Sequence, residues 1–223
     1  MRYNSAAAVR HDFHHWNMYD RGWFRRYPGA WYVPIWAPGA VWMAASWSEL
    51  GAWMDYYPTE PIYYDYGDNV NYQDGNVYVN GQDVGTEQQY YQQACDLATT
   101  GTETQAPADG QWLPLGVFAL TQANRSNSSL TVQIAVNKEG IIRGNYTDTL
   151  TNTTQQIHGS VDKKTQQVAF TVGDNTTTVL ETGLYNLTKD EAPCVIHIGA
   201  DQTEQWLLVR LQKPDAAATD QSN

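Results

Sequence analysis

From Tyr27 to Asn124 the chain contains no lysine or arginine, although eleven of its aspartates and glutamates fall there. With a net charge of −11 over 223 residues, this gap argues against nucleic acid as a partner, because neutralising phosphates takes clustered cations. Cysteine is nearly as scarce. Cys95 and Cys194 allow one disulfide and no framework, and two isolated cysteines are more often small buried hydrophobes. Long apolar runs are also missing. The most apolar window, Val41 to Met54, is short and carries Ser46, Ser48 and Glu49, so no transmembrane segment is expected. The opening MRYNSAAAVRHDFHH has no apolar leader, which fits an intracellular protein or the mature part of an exported one.

What is present is unevenly distributed. Residues 1–26 hold five arginines against Asp12 and Asp20, a net of +3, whereas residues 27–124 carry −11 and the remainder, with eight bases and eleven acids, is close to balanced. A basic arm beside an acidic block predicts attraction within the chain or between copies. Seven of nine tryptophans lie in the first 53 residues and thirteen of fifteen tyrosines before residue 92. Rings at that density with little aliphatic content suit an interface better than an independent core. Candidate interface residues are therefore Arg21, Arg25, Arg26, Trp16, Trp23, Trp31, Trp36, Tyr63, Tyr64 and Tyr66.

Residues 1–57 read as an aromatic and basic arm, kept irregular by Pro28, Pro34 and Pro38 and ending in a short helix over Val41–Met54, where Met43, Trp47, Leu50 and Met54 share one face. Residues 58–101 form an accessory unit. Val70–Gln73 and Asn76–Asn80 flank Asp74-Gly75, a type I′ hairpin signal. A second helix starts at the capping box of Thr86 and Gln89, carries Tyr90, Ala94, Leu97 and Ala98 as its apolar stripe and stops at Gly101. Residues 102–110 read as a linker and 214–223 as a flexible tail.

Over residues 111–213 the hydrophobic period becomes two. Leu130, Val132, Ile134 and Val136 alternate with polar positions, and Val168/Phe170/Val172 and Leu207/Val209/Leu211 are expected to do the same, one face to a core and one to water. About eight short strands with short connections predict a mainly β fold, an eight-stranded antiparallel up-and-down meander barrel, with a β-sandwich as the alternative. The region also echoes itself at an offset of 39: Gly144-Asn-Tyr146 returns as Gly183-Leu-Tyr185, and Ile157-His158 as Ile196-His197.

Candidate chemistry is sparse. His11, His14 and His15 with Asp12 would face one way on a helix and could hold a transition metal, but no cysteine accompanies them and nothing nearby fixes a helix. They read as aromatic, basic surface, and no metal or cofactor is expected. Parity sends His158 and His197 to the outer face, as surface or rim histidines. The inward positions offer no acid–base pair or nucleophile, so no catalytic residue is named and an enzyme is not expected. A lumen filled by Val, Ile, Leu and Phe should leave no room for a ligand. Exposed tyrosines could stack on sugar rings, and sequons stand at Asn124, Asn127, Asn145, Asn152, Asn175 and Asn186.

Four stretches carry a resemblance: PIYYDYGDNVNYQDGNVYVNGQDVGTEQQYYQQA at 61–94, WLPLGVFAL at 112–120, VDKKTQQVAFTVGDNTTTVLETGLYNLTKDEAP at 161–193 and QWLLVRL at 205–211. Together they resemble uncharacterised planctomycete-type exported proteins, sometimes labelled protocadherin-like, over most of residues 40–213. That resemblance implies an extracellular or cell-surface location and supplies no catalytic residues. The barrel is also distantly similar to avidin-like meanders around Gly144-Asn-Tyr146 and Gln205-Trp206-Leu207-Leu208, which bears on architecture alone. The combined expectation is a non-enzymatic, exported, self-associating structural protein. The alternative is a surface module that binds glycan or cell-wall polymer through its aromatics.

Overall fold

The computed structural model describes residues 2–15, 17–55, 60–122 and 125–213. Along the chain come α1 (Arg2–His11), α2 (Arg21–Arg26) and α3 (Trp47–Trp53). A three-stranded sheet of β1 (Val70–Gln73), β2 (Asn76–Val79) and β3 (Gln82–Thr86) leads into α4 (Glu87–Glu103). Eight strands follow: β4 (Trp112–Gln122), β5 (Leu130–Asn137), β6 (Ile141–Asp148), β7 (Thr153–Val161), β8 (Gln167–Val172), β9 (Thr178–Gly183), β10 (Glu191–Ile198) and β11 (Thr203–Leu211). Each pairs antiparallel with the next, and β11 pairs back onto β4 to close the barrel. Closure satisfies the backbone groups that an open sheet would leave at its edges.

The expected alternation holds in β5 and β8, where Val132, Ile134, Val136, Val168 and Phe170 enter the lumen. It inverts in β11. There Leu208 faces inward, while Leu207, Val209 and Leu211 face outward and are nonetheless buried, because the arm lies over them. Ala6 and Val9 of α1, with Met18, Tyr19, Trp23 and Val41, join those residues and Val117 and Ala119 of β4 in one cluster. The arm is thus helical at Arg2–His11 and Arg21–Arg26, not irregular throughout, and it docks on its own barrel.

The helix expected from Val41 starts later. Ala40–Trp42 is a 3-10 turn, and α3 begins after Ser46, whose side chain accepts from the Glu49 N–H while Glu49 accepts from the Ser46 N–H. This capping box fixes where α3 starts, and α3 plugs one end of the barrel. Leu50 and Met54 are fully buried there among Ile142 and Val161. Lys163 Nζ donates to the carbonyls of Met54 at 3.2 Å and Lys138 at 3.0 Å. From β11, the Arg210 guanidinium enters the same end, donates to the carbonyls of Leu115, Leu187 and Lys189, and lies 4.5 Å above the Phe118 ring.

The hairpin forms as expected, with Asp74 and Gly75 both at positive φ, and continues into a third strand. The Thr86 capping box opens α4, which runs two residues beyond Gly101 into the expected linker. Small residues let α4 lie close on the outer wall. Ala94 and Ala98 meet Ala169 and Val179, and a Cβ on Gly101 would stand 2.0 Å from the Gly159 carbonyl oxygen.

Carboxamide side chains fasten the segments that precede α4. The Asn145 side chain accepts from the Trp31 N–H at 2.7 Å and donates to its carbonyl at 2.8 Å. Asn186 does the same to Tyr64, at 3.0 and 2.7 Å. Gln166 accepts from the Ile62 N–H and donates to the Glu60 carbonyl. Asn145 and Asn186 are fully buried, so neither sequon can carry a glycan in the folded protein, whereas Asn127, Asn152 and Asn175 are exposed.

Gly101→Ala tests the close approach of α4. Alanine is intrinsically the better helix former by about 1 kcal/mol, but its methyl would overlap backbone, so a net loss of roughly 1–3 kcal/mol is expected. Urea unfolding with an unchanged midpoint would show that α4 does not sit as described.

Candidate functional site

Among the described residues, the end of the barrel opposite α3 is open. Around the ends of β4, β6, β8 and β10 and the starts of β5, β7, β9 and β11 lies a cavity of about 950 Å³. The plugged half of the lumen is filled by side chains such as Leu115, Phe118, Ile134 and Ile142, so the cavity is blind. Its walls are Leu120, Leu130, Val132, Tyr146, Phe170, Val172, Leu180, Ile196 and Trp206. Polar lining groups, Gln155, Gln156, His158, Asp174, Asn175 and Thr178, come from one side, β7 and the β8–β9 turn. An apolar chamber with convergent polar groups on one rim is how small-molecule sites are commonly built.

This overturns the expectation of a full lumen. Alternation identifies the inward side chains, but not whether those from opposite strands meet. At the plugged end α3 closes the remaining gap; at the mouth none of the described residues descends between the walls. The Trp206 ring is held in position on the wall by its Nε1–H, which donates to Glu204 Oε2 at 3.1 Å. The His158 imidazole borders the cavity from midway along β7, on the side opposite Ile157 and level with Arg143 and Thr171, and burial first, then the Arg143 guanidinium, pushes its pKa below the ordinary imidazole value.

A second cluster lies on the outer wall, beneath α4 and the small sheet. Glu181 of β9 is wholly buried; its Oε2 meets His197 Nε2 at 2.8 Å, and its Oε1 accepts from Tyr66 OH at 2.9 Å and from Tyr90 OH. His197 does face outward, as parity requires, but is 2% exposed, since the accessory unit covers it. Neither surface nor rim describes it. Glu181 went unnoticed in the sequence because its signal is faint: an acid between Leu180 and Thr182 at an outward position, diagonal across the ladder from His197. Sealed from solvent and ringed by phenols, the cluster has no access for a substrate and acts as a polar fastening for the accessory unit.

The interface candidates separate in space. Arg21, Arg25 and Arg26 are exposed on α2. Trp23 and Trp31 are buried against the chain's own barrel, Tyr64 and Tyr66 under the accessory unit, and Trp36 and Tyr63 are half-buried. Trp16 lies outside the described residues, as do Tyr56, Tyr57 and Asn124. Most of these rings therefore make intramolecular contacts, because the closed barrel presents an outer apolar wall that the sequence pattern assigned to water. His11 and Asp12 touch at 3.2 Å on the exposed end of α1, and His14 and His15 are exposed nearby. Among the described residues no three His, Cys, Asp or Glu side chains gather in a metal-binding arrangement. Cys95 on α4 and Cys194 in the lumen are unbridged, and burial pushes the Cys194 thiol well above its usual pKa.

Two predictions follow from the buried groups. Removing His197 strips a partner from a wholly buried carboxyl group, so His197→Ala should cost roughly 3–5 kcal/mol. A near-neutral single variant in denaturant unfolding would refute the fastening role. Burial, then Glu181, holds the Tyr66 and Tyr90 pKa values far above normal, and burial raises Tyr19 to about 12. An unfolded tyrosine titrates near pH 10. Groups raised on folding stabilise fully below that pH and lose their contribution as pH climbs past it. Phenolate absorbance from this buried set should therefore emerge together with loss of the fold in alkali; ionisation of all tyrosines near pH 10 with the barrel intact would contradict it.

No protein-family model matches the chain, and searches of curated proteins and of solved structures found no match.

Proposed function

We propose that the protein is a non-enzymatic binding protein that holds one small, largely apolar ligand in the open half of its barrel. The observation that carries this reading is the blind cavity of about 950 Å³, within the roughly 300–1,000 Å³ range of ligand pockets. Its aliphatic and aromatic wall favours transfer of an apolar body from water at about 25 cal/mol per Å² buried. Tyr146, His158 and Asp174 are the titratable lining groups; Tyr146 and Asp174 lie toward the mouth and His158 faces away from the lumen, which suits orientation of a ligand better than chemistry upon it. An exported, cell-surface setting rests on the resemblance carried by residues 40–213. A glycan partner is less well served, since Tyr64 and Tyr66 are buried and leave little aromatic surface for stacking.

Self-association is the second reading. It is supported by Arg21, Arg25 and Arg26, which stand exposed on one short helix while the arm's rings are engaged on the barrel.

Titration with the neutral probe N-phenylnaphthylamine, followed by quenching of Trp206, tests the first reading. One saturable site per chain is expected. Leu130→Trp, which crowds the mouth, should weaken binding at least about tenfold, or 1.4 kcal/mol. Saturable binding that Leu130→Trp leaves untouched would place the probe elsewhere and defeat the reading.

A further inference from the structure

Charge at the mouth of the barrel is mostly of one sign, whereas at the plugged end it is nearly balanced. Four lysines, Lys138, Lys163, Lys164 and Lys189, lie in the connections at the plugged end, beside Glu139, Asp162 and Asp190. At the mouth stand Asp148 at the end of β6, Asp174 in the β8–β9 turn, Asp201 in the β10–β11 turn and Glu204 near the start of β11. Arg125, in the β4–β5 connection, is the cation among the described mouth residues, so four carboxyl groups face one guanidinium. His158 adds little charge there at neutral pH, for the reasons given above.

We infer that the ligand is an amphipathic cation, its apolar body in the lumen and its cationic head among the acids of the rim. This rests on the binding reading and names the ligand's chemical class. Asp174 lines the cavity, and Glu204 fixes the Trp206 indole beside it, so a cation entering the mouth meets a carboxyl group and an aromatic face together. Aromatic faces attract ammonium groups, most strongly when water is excluded. A rim of one sign over low-dielectric walls also concentrates the oppositely charged ligand and repels the like-charged one. An anionic amphiphile of the same body would carry its charge into this field and be disfavoured.

Calorimetric titration of the full chain with decyltrimethylammonium, decanol and decanoate, each below its aggregation concentration, tests the inference. The expected order is ammonium tightest and decanoate weakest, with at least about a tenfold spread at low ionic strength. The spread should shrink at high salt. It should narrow again in Asp174→Asn with Glu204→Gln, where the glutamine still offers the indole an acceptor. Equal affinity for the three probes, or a preference for decanoate, overturns the charge selection and leaves the cavity reading intact. No binding of any probe to folded protein overturns both.

Discussion

The hydrogen bonds that join β11 to β4 are the constraint on which the rest depends. Trp206 through Leu211 run opposite Gln122 through Val117. Without that ladder there is no lumen, no blind cavity and no wall for the arm. Side chains reinforce β11 on both of its flanks. Inside, the Arg210 guanidinium links β11 to the Leu115 carbonyl of β4 and to the carbonyls of Leu187 and Lys189. On the side away from β4, Arg10 of α1 joins β11 to the start of β10, donating to the Arg210 carbonyl at 3.1 Å and to that of Asp190 at 2.9 Å. Burial lowers the Arg210 pKa to about 10, still far enough above neutrality to keep its charge. The Phe118 ring and the carbonyl dipoles offset the cost of burying that charge.

The seam also explains the aromatic arm. Tyr19, Trp23, Phe24 and Tyr27 contact one another in edge-on or tilted pairs, with ring centres 4.6 to 6.3 Å apart, over an outer wall of Val and Leu. Large rings can cover an irregular apolar wall without regular backbone structure of their own. Where the chain is extended, the backbone polar groups find partners in side chains: Asn145 and Asn186 each bind both the N–H and the carbonyl of one residue, as a neighbouring strand would. Gln166 spans Glu60 and Ile62 in the same way. Three carboxamides thus replace a strand that is not there.

The barrel was legible in the sequence because period-two alternation survives wherever one face is apolar. Val132/Ile134/Val136 and Val168/Phe170 signal their inward face plainly. β11 was misread because both of its faces are buried, so Leu207, Val209 and Leu211 look like lumen residues although Leu208 occupies the lumen. The hairpin at Asp74-Gly75 and the start of α4 were legible because turn and cap chemistry is local. The cavity was not. Its existence depends on whether a plug enters each end, and α3 reaches one end from far away in the chain. Likewise Glu181 and His197 acquire meaning only when Tyr66 and Tyr90 are brought over them. The 39-residue echo is real in sequence but does not describe a rotation about the barrel axis. Displacement by three strands reverses direction, so β7 runs from the mouth inward whereas β10 runs toward it.

Arg10 and the strand it secures are 200 residues apart. During synthesis the arm emerges before every strand of the barrel, yet its docking surface is completed only when β11 joins β4. The order of translation is therefore the reverse of the order in which the arm can be satisfied. Until the final strand arrives, the arm's tryptophans and arginines have no wall to cover, and such long-range closure is slow and exposes apolar surface while it waits. A nascent chain of this protein is most vulnerable to aggregation in the interval before β11 joins the barrel.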